Sequence, residues 1–251
     1  MTKLLKLLFA SLALAVLVRA ESNDKLKSPG STAAGTNVAA PKPPPDLGAL
    51  LRMHWETRVR AFKEQNLSWQ NVVLLGDSIT EGFEVTKYFP GWRVLNRGIG
   101  ADVIGNDMPA GDPRGVLQRL DNSVFDCAAT DVFILIGIND LNTGRKVEAM
   151  EAGYRELLKR VRGKRPDLRI HIQSVLLTRG THEKQNGPVR EFNERLKKLT
   201  AEFGCSFIDL HLLMRDESGQ LKAEFTNDGL HLTEPAYVVW REQIFKAMNW
   251  K

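Results

Sequence analysis

The sequence predicts an α/β fold: a doubly wound parallel sheet of about five strands with helices on both faces. Three observations predict it. Short apolar runs recur without polar alternation, as in strands buried on both faces. Amphipathic stretches separate these runs, so strand and helix alternate about five times. Segments rich in Gly, Asp, Asn and His fall just after the runs, where sheets of this kind gather their chemistry.

The elements follow in order. Leu47, Leu50, Leu51, Trp55, Val59 and Phe62 recur at helical spacing. Val72 to Leu75 is the first strand, closed by Gly76. Val94-Leu95, Val132 to Ile136, Ile170 to Leu177 and Phe207-Ile208 are the next four. Between and after them lie amphipathic stretches at Gly115–Leu120, Val147–Val161, Pro188–Phe203 and Pro235–Met248. Residues 47–251 therefore form one domain, a three-layer α/β/α arrangement of flavodoxin-like type.

Ahead of this domain, Lys3 and Lys6 precede an apolar run from Leu7 to Val18, and Val18-Arg19-Ala20 presents a cleavage pattern. Residues 1–20 read as a signal peptide, which implies a secreted or periplasmic protein with no stable membrane insertion after cleavage. The alternative is an uncleaved anchor, for which the run is short. No Cys follows the run, so a lipoprotein anchor is not expected. Residues 21–46, with Pro41-Lys42-Pro43-Pro44-Pro45, form a Pro/Ser/Ala-rich linker.

The formal charge is +5, and subtracting Lys3, Lys6 and Arg19 leaves +2. Basic and acidic residues alternate through the rest, and no Lys/Arg cluster is interleaved with aromatics. Nucleic acid is therefore excluded as a partner. Cys127 and Cys205 are the two cysteines. Export permits a disulfide, but each precedes a different strand, and two buried free thiols are the preferred reading. No metal-like Cys/His cluster and no cofactor motif is present. Gly98-Ile99-Gly100 lacks the third glycine of a dinucleotide fingerprint, because position 103 is Val103. Gly-x-Ser-x-Gly is also absent.

Four segments follow strand ends: Gly76-Asp77-Ser78, Asn96-Arg97-Gly98, Gly137-Ile138-Asn139-Asp140 and Asp228-Gly229-Leu230-His231. Taken singly, each is an ordinary turn or helix cap. Together they supply the parts of a nucleophilic site. The Ser78 hydroxyl needs a base to take its proton, and the His231 imidazole has the right range. Asp228, three residues earlier, can fix the imidazole tautomer. The oxyanion donors are the backbone N–H groups of Ser78 and Gly98 and the Asn139 amide. Asp77 and Asp140 read as loop-holding residues.

These four segments resemble the sequence blocks of the SGNH hydrolases, also called GDSL esterases, over roughly residues 70–248. The resemblance implies Ser78, Gly98, Asn139 and His231 as the name residues, with Asp228 completing the triad. Asn96-Arg97-Gly98-Ile99-Gly100 and Leu176-Leu177-Thr178-Arg179-Gly180 resemble the branch with platelet-activating-factor acetylhydrolase-like and carbohydrate acetylesterase-like members. That branch implies short acyl groups, acetyl above all, on a sugar or lipid alcohol, so the expected partner is a small-molecule or polysaccharide ester. The loop over 99–113 departs from the family pattern and is expected to hang over the site and shape the pocket.

The leading expectation is thus an exported esterase working through an acyl-enzyme, without cofactor or metal. A lysophospholipase or other acyl-lipid esterase is the alternative, and a non-catalytic carbohydrate-binding protein on the same fold is a further one. Asp228 and His231 alone are too few for a zinc site. His171 lies inside a strand and His182 in a loop, while His54 and His211 have no carboxylate or serine partner at a recognisable spacing, and all four read as structural or surface residues. Arg179 is a pocket residue or a surface ion pair. Tyr88, Phe89 and Trp92 are a sugar platform or, more simply, packing.

Overall fold

A computed structural model describes residues 46–66 and 71–250. The signal peptide and nearly all of the linker expected above lie outside the described residues. Five strands form one parallel sheet: β1 (Asn71–Gly76), β2 (Val94–Gly98), β3 (Ala129–Leu135), β4 (Arg169–Gln173) and β5 (Ser206–Ile208). Their order across the sheet is β2-β1-β3-β4-β5. This is the flavodoxin-like order, and its switch point lies between β1 and its two neighbours. All six residues of β1 are buried, which explains its unbroken apolar run.

The helices are α1 (Leu47–Gln65), α2 (Ser78–Glu81), α3 (Val85–Tyr88), α4 (Ile138–Asn142), α5 (Val147–Lys164), α6 (Asn186–Glu202), α7 (Leu210–Met214) and α8 (Glu234–Met248). They lie on both sides of the sheet, and α5 packs beside α6. α8 buries Tyr237, Trp240 and Ile244. Phe83 sits among Tyr88, Phe89, Tyr237 and Trp240 with ring centroids 4.8–5.3 Å apart. Tyr88 and Phe89 are therefore core residues. Trp92 stacks on Trp250 at 3.9 Å. No helix among the described residues is long and apolar enough to cross a membrane.

Two elements differ from expectation. The fourth strand ends at Gln173, short of Leu177. Beyond it, side-chain amides of α6 replace a neighbouring strand. Asn193 pairs with the N–H and C=O of Val175, and Asn186 does the same for Thr178. The 115–120 stretch is not an α-helix but a 3-10 turn (Val116–Gln118) followed by a π-helical turn (Asp121–Phe125). The cause is Arg119, which is charged yet fully buried. It turns inward to reach the carbonyls of Gly76 and Arg97 at the ends of β1 and β2, at 2.9 and 2.8 Å.

Cys127 is buried and Cys205 half-buried, and both are free thiols. Asp131, His171 and Ser206 lie on adjacent strands and bond in sequence, at 3.0 and 2.6 Å. His211 is buried beside Asp209.

Candidate active site

β1 ends at Gly76, and Asp77 then caps the short helix α2, accepting the Ile79 N–H at 3.0 Å. This cap sets Ser78 at the first helical position, on the rim of the sheet. The last loop brings His231 to it. Asp228 Oδ1 accepts the N–H groups of Leu230 and His231 at 2.9 and 2.8 Å. The turn needs Gly229, whose φ is +88° and whose Cβ would meet the Arg179 carbonyl at 2.2 Å. The Arg179 N–H in turn donates to the Gly229 carbonyl at 2.8 Å. Arg179 thus braces this loop through its backbone, while its guanidinium pairs with Asp216.

The outcome is a continuous hydrogen-bonded chain. Ser78 Oγ–H lies 3.0 Å from His231 Nε2, and His231 Nδ1–H donates to Asp228 Oδ2 at 2.6 Å. Burial works against the Asp228 charge, but hydrogen bonds from His231 and the Leu230 N–H outweigh it and hold the carboxyl well below the usual range. Burial likewise pulls the His231 imidazole down. The bond to Asp228 and its charge outweigh that pull, so His231 sits above its ordinary value. Asp228 and His231 are engaged with each other and with Ser78.

Asn139 lies in the first turn of α4, after β3. Its Nδ2 donates one hydrogen to the Asp102 carbonyl at 2.9 Å, and the amide carries a second. Asp102 is itself fixed. Its carboxylate pairs with Arg119 Nε at 2.8 Å and accepts the Gly115 N–H at 2.8 Å. Both side chains are wholly buried.

Gly98 requires a correction. Its N–H is not available to a substrate, because it donates to Asn96 Oδ1 at 2.8 Å. Gly98 is glycine for a different reason: a Cβ there would meet the Glu81 backbone N at 2.1 Å. The loop then bends sharply. The Gly100 N–H donates to Glu81 Oε2 at 2.6 Å, and Ala101 adopts a left-handed φ of +58°. Among the described residues, the N–H groups of Ser78 and Ala101 have no acceptor. The free N–H of Ala101 is the feature that sequence reading missed, and an alanine carries no signal of a left-handed turn.

Asp77 and Asp140 hold loops, as expected. Asp140 accepts the Ile104 N–H at 3.1 Å. Burial pushes both carboxyls up to about 7. The 99–113 loop is tied at its root by Asp140, by Arg145 to the Asn106 carbonyl, and by Gln118 to the Gly105 carbonyl. Its tip, around Pro109 to Gly111, is exposed. His54, read as unpartnered, in fact meets Glu81 at 3.0 Å.

The sequence profile of the GDSL-like Lipase/Acylhydrolase family matches residues 74–239. Curated relatives, the N-acylneuraminate cytidylyltransferases of three Streptococcus agalactiae strains, are 27% identical over 121 residues. The match covers 48% of this chain, which spans 28% of their length. Among solved structures, a Streptococcus pneumonia protein named for platelet activating factor shares 24% identity at a TM-score of 0.70, covering 80% of this chain and 95% of that one. A GDSL-like lipase of Bacteroides thetaiotaomicron shares 17% at 0.62, covering 80% and 98%. The acetyl xylan esterase AlAXEase shares 19% at 0.57, covering 71% and 99%. At these identities the structural likenesses speak to the fold.

Proposed function

Because the chain belongs to the GDSL-like lipase/acylhydrolase family, we propose that it is a serine esterase with Ser78 as nucleophile, His231 as general base and acid, and Asp228 as the orienting carboxylate. One observation carries this reading: the unbroken Ser78–His231–Asp228 chain at 3.0 and 2.6 Å. Ser78 Oγ attacks the ester carbonyl carbon, and its proton passes to His231 Nε2. The tetrahedral intermediate then collapses, and the leaving alkoxide takes that proton. Water attacks the acyl-enzyme, gives its proton to His231, and the acid departs as Ser78 recovers its hydroxyl. The oxyanion is held by the N–H groups of Ser78 and Ala101 and by the free hydrogen of the Asn139 amide.

The acyl group in this reading is short, acetyl first, and the alcohol is a sugar. The resemblance of the 96–100 segment supports this. So do the names of two similar proteins, an acetyl xylan esterase and an enzyme of a sugar acid. Export is part of the proposal and rests on the Leu7–Val18 run. The test is turnover of p-nitrophenyl acetate and of a panel of acetylated sugars and lysophospholipids. Ser78→Ala is expected to abolish turnover with the fold intact. Wild-type rates in that variant would refute the nucleophile, and a preference for lysophospholipids would move the substrate class.

A further inference from the structure

Glu81 closes α2, one turn beyond Ser78. Its carboxylate is mostly out of water, with the side chain 17% exposed. Its partners account for that burial. Oε2 accepts the Gly100 N–H at 2.6 Å and His54 Nε2–H at 3.0 Å, and Oε1 faces Arg58 Nε at 3.6 Å. Burial opposes the charge, but His54 and Arg58 outweigh it and hold the carboxyl below its ordinary range. Arg58 makes a second grip. Its Nε and Nη2 donate to the Gly98 carbonyl at 3.2 and 2.8 Å.

His54 and Arg58 are four residues apart on α1, so they share one face. That face holds the loop at two peptide groups, the carbonyl of Gly98 and, through Glu81, the N–H of Gly100. Between them the Ile99 side chain is buried against Trp55 and Phe62 of the same helix. The residues that follow are Ala101, at its left-handed φ, and Asp102, whose carbonyl aligns the Asn139 amide. A shift at Gly100 therefore moves two of the three groups assigned to the oxyanion. α1 precedes the segment matched by the family profile, which begins at residue 74.

We propose that Glu81, His54 and Arg58 are positioning residues that set the Gly98–Ala101 turn for the oxyanion, which makes α1 part of the catalytic unit rather than a packing helix. The proposal rests on the esterase reading of Ser78. A positioning role acts on the transition state, so it lowers kcat and leaves KM nearly unchanged. Loss of a whole oxyanion donor costs about 10²–10³ in rate. Misplacing one is expected to cost about 10–100-fold in kcat.

The experiment compares wild type, Glu81→Ala, Glu81→Gln, His54→Ala, Arg58→Ala, Ser78→Ala and an exposed α1 control, Glu56→Ala. It measures kcat and KM on p-nitrophenyl acetate, Tm, affinity for a trifluoromethyl ketone, and amide exchange at Gly100. In Glu81→Ala, kcat and ketone affinity are expected to fall together with KM within about two-fold, and the Gly100 amide, which loses its acceptor, to exchange at least about ten-fold faster. Glu81→Gln keeps an acceptor for Gly100 and is expected to recover most of kcat. His54→Ala and Arg58→Ala are expected to fall between, and they carry the comparison if Glu81→Ala does not fold. Unchanged amide exchange, a kcat loss that only follows Tm, or a change confined to KM would overturn the proposal. Wild-type turnover in Ser78→Ala refutes the esterase reading instead. Ser78-dependent turnover that is untouched in Glu81→Ala refutes only the positioning role.

Discussion

Ser78 Oγ and His231 Nε2 stand 3.0 Å apart across 153 residues of chain, and the His231 ring is held there by Asp228 at 2.6 Å. His231 must be neutral to take the serine proton. Its pKa is raised, because the Asp228 bond and charge outweigh burial. The acid limb of kcat/KM is therefore expected to have its midpoint above the ordinary histidine value of about 6.5. Asp228→Asn removes the charge and the tautomer control. It is expected to lower kcat about 10³–10⁴-fold and to move the limb toward acid. A pH–rate profile of both proteins checks the two shifts, and a limb that stays in place would break the link between them.

The buried Asp102–Arg119 pair joins the loop after β2 to the ends of β1 and β2. Neither side chain touches water. Arg119→Met leaves a buried carboxylate and two strand-end carbonyls without their donor, so a loss of about 3–5 kcal/mol is expected. In the double variant with Asp102→Asn the unpaired charge is gone. Its loss should then be smaller than the sum of the two single losses, which urea unfolding in a double-mutant cycle measures. Additive losses would show that the two side chains act separately.

Asp77 offers a test of sign. Its Oδ1 caps α2, and its Oδ2 is buried with no partner among the described residues. Burial pushes its carboxyl up to about 7. A carboxyl raised on folding supports stability below its unfolded pKa of about 3.9, and that support is lost as pH rises through about 7. Asp140 has the same sign. Wild-type stability is thus expected to fall between about pH 4 and 7, by at most about 1.4 kcal/mol per pH unit for each group. Asp77→Asn keeps the capping oxygen and removes one of the two titrations, so it should flatten that slope. Urea midpoints at pH 4.5, 6 and 8 read it directly.

The parts of the site that are legible in the sequence are the ones encoded locally. Gly76-Asp77-Ser78 follows an all-apolar run, and Asp228 and His231 fit into one turn, so their placement is readable without any tertiary knowledge. β1 and β3 are legible because nearly every residue in them is buried, whereas β5, exposed at Ser206 and half-buried at Phe207 and Ile208, is read from that apolar pair alone. The Glu81–His54 and Asp102–Arg119 contacts are not, because they join residues 27 and 17 positions apart through packing alone. Arg119 also hides the shape of its own segment, since an inward arginine breaks the helical pattern. The fourth strand reads too long because Asn186 and Asn193 supply strand-like bonds from a helix. Gly98 is the instructive error. A glycine after a strand end fits an oxyanion donor and a steric need equally well, and they are separated by the Gly98 N–H bond to Asn96 Oδ1 at 2.8 Å together with the 2.1 Å approach to Glu81.

That distinction gives two substitutions three residues apart with opposite signs. At Gly98 φ is ordinary, but an added methyl would strike backbone, which cannot swing aside as a side-chain tip can. Gly98→Ala is expected to cost about 1–3 kcal/mol through forced displacement of α2 from β2. Because the displaced helix carries Ser78, kcat should fall as well. At Ala101 the strain lies in the backbone. A left-handed φ of +58° costs an alanine about 1–2 kcal/mol that glycine does not bear. Glycine gives back about 0.5–1 kcal/mol through the greater freedom of the unfolded chain. Ala101→Gly is therefore expected to raise Tm by about 1–4 °C while Gly98→Ala lowers it, as thermal unfolding of the two variants can show. A drop in Tm for Ala101→Gly would mean that the methyl group packs usefully enough to outweigh the strain of the turn.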